Sequence, residues 1–160
     1  MHRIKVIGTN QPVDVPQSTR LLDALLHLRL PVRMACGGKG LCATCHIYVE
    51  TNMQSLSPVT PREQDALAML SSRKSNSRLA CQAKVVGPNL VVALPEGLFI
   101  ESSSDIEVLI GRRTEVAILH PVTGRVLIEA GMLISRSRIS QLGQLAVDIE
   151  QLRARSESAL

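Results

Sequence analysis

The stretch Ala35-Cys36-Gly37-Gly38-Lys39-Gly40-Leu41-Cys42-Ala43-Thr44-Cys45 is the most constrained part of this chain. Three cysteines stand in the spacing C-x5-C-x2-C, three glycines lie between the first two, and no helical or strand periodicity runs through it, so it reads as a loop. The fourth cysteine, Cys81, sits far downstream in Leu79-Ala80-Cys81-Gln82, and the chain holds 4 cysteines in all. Two irons bridged by two sulfides take four thiolates. Glycine fits between such ligands because backbone without side chains can lie close to inorganic sulfide and turn its N–H groups on sulfur, which helps set the potential. The pattern therefore points to Cys36, Cys42, Cys45 and Cys81 as metal ligands of a [2Fe–2S] cluster, with Gly37, Gly38 and Gly40 shaping its cradle. Structural zinc is the rival, since it also takes four cysteines, but its usual frame is two close pairs, and here Cys36 and Cys81 stand apart. His46 beside Cys45 has no second histidine motif to make a Rieske-type pair, and His120 before Pro121 reads as a solvated turn residue.

Outward from the loop, short elements alternate. Ile4-Lys5-Val6-Ile7 and Val13-Asp14-Val15 flank the turn cluster Gly8-Thr9-Asn10 and read as a hairpin. Leu21, Leu22, Leu25 and Leu28 fall on one helical face, with Ser18 or Thr19 as cap and Pro31 as stop. His46-Ile47-Tyr48-Val49 is a strand. Thr60-Pro61-Arg62-Glu63 opens a helix running to about Leu70, with Thr60 as cap and Glu63 completing a capping box. Ala83-Lys84-Val85-Val86 and Leu90-Val91-Val92-Ala93-Leu94 are further strand candidates. The order gives an α+β fold, a small mixed sheet packed on a helix.

At this point the two cysteine blocks, with the segment from Leu56-Ser57-Pro58 to Leu70 between them, resemble the [2Fe–2S] ferredoxins. The likeness covers roughly residues 1–100. It implies a β-grasp sheet, a cluster in a surface loop, and a one-electron carrier that shuttles between a reductase and an acceptor. The C-x5-C spacing is nearer the adrenodoxin-type or reductase-attached ferredoxin modules than the plant type, which uses C-x4-C. Many members of the family are acidic. This chain carries a formal charge of +4, and an oxidised cluster with its thiolates, at about −2, still leaves it basic.

The 18 basic residues are spread along the 160-residue chain, and with one Tyr, one Phe and no Trp there are no aromatic platforms for bases, which argues against nucleic acid. No apolar run reaches transmembrane length. The first residues lack a signal peptide's apolar core, so a reducing, cytoplasmic setting is expected, where cysteines serve as ligands. No dinucleotide, nucleophile-elbow or Walker motif accompanies the cysteines, so the chain reads as a carrier rather than an enzyme.

The polar run Glu101-Ser102-Ser103-Ser104-Asp105 reads as a boundary before an accessory unit, residues 105–160. Residues 106–110, 115–119 and 125–128 are strand candidates, with a turn at Pro121-Val122-Thr123-Gly124, and from Ser135 the pattern is helical. Leu142, Leu145, Ile149 and Leu152 make a stripe that must bury against something. A second copy of the chain, giving a homodimer, and the chain's own sheet are the two candidates. Beside the electron carrier stand two alternatives: a redox-sensing regulator with this unit as its output, and a zinc-stabilised interaction module.

Overall fold

The computed structural model describes residues 1–100 and 104–158. Alternating Ile4 and Val6 turn inward from β1 (His2–Val6) while Arg3 and Lys5 face water, the period-two burial of a half-covered strand. β1 pairs antiparallel with β2 (Val13–Val15), His2 opposite Val15, so the hairpin stands as expected. β3 (His46–Thr51), β4 (Ser77–Leu79) and β5 (Leu90–Ala93) complete a five-stranded sheet in the order β2-β1-β5-β3-β4. β1 and β5 run parallel and the other neighbours antiparallel. The sheet wraps α1 (Leu21–His27), whose Leu21, Leu22, Ala24 and Leu25 are buried. This is the β-grasp arrangement. Each fully buried leucine contributes roughly 1.5–3 kcal/mol of burial.

Two details of α1 differ from the sequence reading. Neither Ser18 nor Thr19 caps it: Ser18 is left-handed (φ 66°), the Thr19 hydroxyl donates to the Pro16 carbonyl, and Arg20 is the N-cap without a side-chain bond. Nor does Pro31 stop it. Arg29 turns left-handed (φ 57°), its N–H bonds to the Leu26 carbonyl and that of Leu30 to Leu25, a Schellman closure that uses up the last carbonyls.

α2 (Pro61–Ala68) starts as expected, with Thr60 Oγ1 accepting from the Glu63 N–H. The reciprocal half of the capping box is missing. Glu63 instead turns inward, wholly buried, and takes both Nε (2.7 Å) and Nη2 (3.2 Å) of Arg78 and the Leu79 N–H (2.9 Å). Residues 83–86 do not form a strand. They bridge singly to two separate segments, Lys84 to Arg20 and Val85 to Leu56, while Ser77–Leu79, for which no strand was expected, takes the edge position.

A second sheet begins at β6 (Leu98–Phe99), which runs parallel to β7 (Ile118–Leu119); β7 pairs antiparallel with β8 (Val126–Ile128). The first three residues of the polar run 101–105 lie outside the described residues. The strand expected at 106–110 is instead α3 (Ser104–Glu107) and a following turn. Ile106 is buried and Leu109 half-buried, a three-residue step that a short apolar run does not announce. The expected terminal helix is two: α4 (Arg136–Ser140), capped by Ser135, and α5 (Gly143–Ser158). Leu145, Ile149 and Leu152 are buried within the chain, so the stripe that motivated self-association is covered by the chain itself. Ile100, Ile106, Ile118, Ile128, Ile134, Leu145 and Ile149 form a separate apolar core. Among the described residues no helix is long and apolar enough to cross a membrane.

The Glu63–Arg78 pair makes a direct prediction. Glu63→Gln leaves a buried guanidinium without its counter-charge, and urea unfolding is expected to show a loss of about 3–5 kcal/mol. Asp14→Asn, which breaks the exposed pair with Arg3, is expected to leave the midpoint essentially unmoved.

Candidate iron–sulfur site

The sheet itself brings two of the four cysteines together. Cys45 immediately precedes β3 and Cys81 lies just beyond β4. The pairing of His46 with Leu79, extended by the Ala80 N–H on the Cys45 carbonyl (3.0 Å), puts both at one end of the sheet. α1 fixes the second of them. Its first N–H groups have no partner within the helix, and those of Leu21 and Leu22 bond instead to the carbonyls of Ala83 (2.8 Å) and Ala80 (2.9 Å). The turn carrying Cys81 is thus clamped to a helix end on one side and to β3 on the other.

The other two ligand candidates come from the loop. Gly37, Gly38 and Gly40 are all left-handed (φ 70°, 77° and 75°), a conformation glycine adopts without strain. The curl turns the N–H groups of Lys39, Leu41 and Cys42 on the Cys36 sulfur and that of Gly40 on the Cys81 sulfur. Thr44 Oγ1 accepts from the Ala35 N–H (3.1 Å), leaving its hydroxyl to donate to Cys42 Sγ, also 3.1 Å away. Gln82 Nε2 reaches both Cys81 Sγ and the Gly38 carbonyl. Arg20, itself paired with Asp23, is the cation felt by Cys81 and Cys45.

All four cysteines are free thiols and buried. They associate two and two. Cys42 lies in hydrogen-bond contact with Cys36, holding the Cys36 thiol down to about 5 while its own is raised by that bond and by burial. Cys45 bonds to Cys81 in the same way, raised by that bond and burial, while Cys81 is lowered. In each pair one thiol is lowered and its partner raised by the bond between them, and a metal cation held by both sulfurs would take the place of the shared proton. Among the described residues no three His, Cys, Asp or Glu side chains gather round one point as a single-ion site. Two thiol pairs with N–H groups aimed at sulfur fit a binuclear iron–sulfur group better than one tetrahedral zinc.

Comparison with known proteins agrees. Residues 4–86 match the model for the 2Fe-2S iron-sulfur cluster binding domain. The chain belongs to this [2Fe–2S] ferredoxin family. Rhodocoxin of Rhodococcus erythropolis is 37% identical over 94 residues, 56% of this chain and 88% of that one. A 2Fe-2S ferredoxin of Haemophilus influenzae is 32% identical over 84 residues, 52% of this chain and 74% of that one. The crystal structure of an ISC-like [2Fe-2S] ferredoxin from Pseudomonas putida superposes with a TM-score of 0.55 at 27% identity, covering 59% of this chain and 93% of that one. This ferredoxin accordingly binds a [2Fe–2S] cluster and is an electron carrier.

His46 is engaged with Ser77 and Tyr48. Its Nε2 lies 2.9 Å from Ser77 Oγ, its ring meets Tyr48 edge-on at 4.7 Å, and burial holds its pKa down to about 4. His120, expected in solvent, is buried instead, with Nδ1 accepting from the N–H groups of Val122 and Thr123 and Nε2 donating to Asp148. Sequence reasoning missed Val122 and Leu152, which pack in one apolar cluster with Cys36 and Cys42. The sole signal was the stripe containing Leu152, and nothing in it told which surface the stripe covers.

Gly40 gives the sharpest test of the cradle. A Cβ there would meet Gln82 Cδ at 2.8 Å in a left-handed conformation. Gly40→Ala is therefore expected to displace Gln82 from Cys81 and lower iron and sulfide per chain. Gly8→Ala, also left-handed but in open space, is expected to keep full occupancy; the readout is metal and acid-labile sulfide analysis.

Proposed function

We propose that Cys36 and Cys42 hold one iron and Cys45 and Cys81 the other, and that the protein passes single electrons from a reductase to an acceptor protein in a cytoplasmic setting. The observation that carries the assignment is the pairing of the four buried thiols. When bound, the cluster supplies a one-electron couple, its charge shared between two irons and two sulfides. The chain's own part is to deprotonate and position four thiolates, and to offer the N–H groups of residues 39–42 as fixed donors to sulfur. Gly37, Gly38 and Gly40 let that backbone approach. Gln82 and Thr44 add donors to one thiolate in each pair. Because these donors are fixed before an electron arrives, little of the protein must rearrange when the charge changes. Glu63, buried with Arg78, is not available to a docking partner, which leaves α2 with Arg62, Gln64 and Asp65 as its exposed early residues.

A redox-sensing role with the C-terminal segment as output draws on one specific contact, the Ala43 N–H on the Pro121 carbonyl at 2.8 Å, which ties the loop to that segment. A partner captured in one oxidation state and not the other would favour it.

Protein purified without oxygen is expected to be red-brown, with about two irons and two sulfides per chain, and to give a paramagnetic signal on one-electron reduction. Cys36→Ser, Cys42→Ser, Cys45→Ser and Cys81→Ser are each expected to weaken or abolish the cluster, measured by the visible spectrum and metal content. Stoichiometric zinc without sulfide would overturn the assignment, as would an unchanged spectrum in Cys81→Ser.

A further inference from the structure

The buried stripe of α5 serves two masters. Leu145 and Ile149 enter the isoleucine-rich core of the second sheet. Leu152, on the same face and 1% exposed, leaves that core and joins Val122, Cys36 and Cys42 in a separate apolar cluster, with Ala35 and Leu41 half-buried against it. Both partners of one thiol pair are therefore roofed by side chains from beyond residue 104.

The roof is braced at several points. Val122 sits in the turn after β7, and that turn is held to the cysteine loop by the Ala43 N–H on the Pro121 carbonyl and to the turn after α2 by the Ser71 N–H on the Thr123 carbonyl (2.9 Å). The Lys39 ammonium donates to the Ser156 carbonyl near the end of α5, one helical turn past Leu152. His120 locks turn and helix into one piece: its Nδ1 takes the N–H groups of Val122 (3.1 Å) and Thr123 (3.2 Å), and its Nε2 donates to Asp148 (3.0 Å). An accessory unit attached only by its linker would need none of these contacts with the cysteine loop.

We propose that Val122 and Leu152 are the outer wall of the iron held by Cys36 and Cys42, positioning residues by which the C-terminal segment keeps water from that iron and sets the potential of the cluster. The inference rests on the ligand assignment above. Reduction adds negative charge to a group that is already anionic, and water stabilises that charge. An apolar wall withholds the water, which holds the potential down. The same wall blocks the approach of chelators and protons to the thiolates.

The test uses the full chain with its cluster. Leu152→Ala and Val122→Ala are expected to move the potential to more positive values, bleach severalfold faster under an iron chelator, and deepen deuteron modulation in the spin-echo signal of the reduced protein in heavy water. Leu152→Met, which restores an apolar wall, returns all three to wild-type values, and Val147→Ala on the exposed face of α5 changes none of them. If Leu152→Ala does not fold, Val122→Ala, which removes two methyl groups from a turn, decides the matter. Wild-type potential, bleaching rate and modulation in Val122→Ala and in any folded Leu152→Ala would overturn the proposal. A wild-type chain that binds no iron and sulfide, or a Cys36→Ser chain with an unaltered cluster, would instead overturn the ligand assignment.

Discussion

Two backbone hydrogen bonds at the start of α1, from Leu21 to Ala83 and from Leu22 to Ala80, fix the turn that carries Cys81. Three thiols travel on one loop and the fourth arrives from a different part of the chain. The distance between them has to be set by something stiffer than a loop. The helix end provides it, because its unpaired N–H groups require acceptors and the Cys81 turn supplies them. The Ala80 N–H then ties the same turn to the carbonyl of Cys45. One short turn thus closes the N-terminus of a helix, extends the β3–β4 ladder and presents the Cys81 thiol. Residues 83–86 stay out of the sheet for the same reason. Their backbone groups are committed to Thr19, Ser18 and Ser55, residues that lie outside every strand and offer only single bridges.

Burial makes the site chemically one-sided. Two of the four buried thiols, Cys42 and Cys45, are raised and resist losing their protons unless something positive takes the protons' place. The loop N–H groups and Arg20 offset part of that cost, and metal binding supplies the rest. The buried Glu63–Arg78 pair between α2 and β4 follows the same logic. A carboxylate and a guanidinium are taken out of water together and are tolerated there because every strong donor around the carboxylate is used, including the Leu79 N–H. It joins α2 to β4, two residues short of Cys81.

How legible all this was in the sequence depends on how local each cause is. The cysteine stretch was legible as a glycine-rich loop and as the mark of the family, because residue types at set spacings are a local signal, and the structure shows its glycines left-handed and its cysteines buried. The hairpin, β3, β5 and the Thr60 cap were legible through alternation and through a capping residue whose partner lies three positions away. What stayed hidden was decided by distant partners. Glu63 looked like a capping-box residue because nothing nearby in sequence reveals Arg78. Residues 83–86 have strand composition, yet their partners are residues outside every strand, reached by single bridges. Residues 106–110 are apolar enough for either helix or strand, and only the core they join selects the three-residue step. His120 read as solvated because the turn it organises comes after it and its acceptor, Asp148, comes 28 residues later.

The C-terminal stripe shows the same limit in its clearest form. Amphipathicity says that a face must be covered and is silent on what covers it. Here the cover is divided, with Leu145 and Ile149 given to one core and Leu152 to another. That division suits an electron carrier in a way it would not suit an enzyme. A substrate needs an open path to the reacting atoms, whereas an electron crosses a short span of packed protein without one. A ferredoxin can therefore roof part of its cluster site with its own chain. On the ligand assignment proposed above, such a roof would withhold water from the reduced state and shield the thiolates of Cys36 and Cys42, while the other side of the loop keeps Gly37 exposed and Arg20 and Gly38 half-exposed.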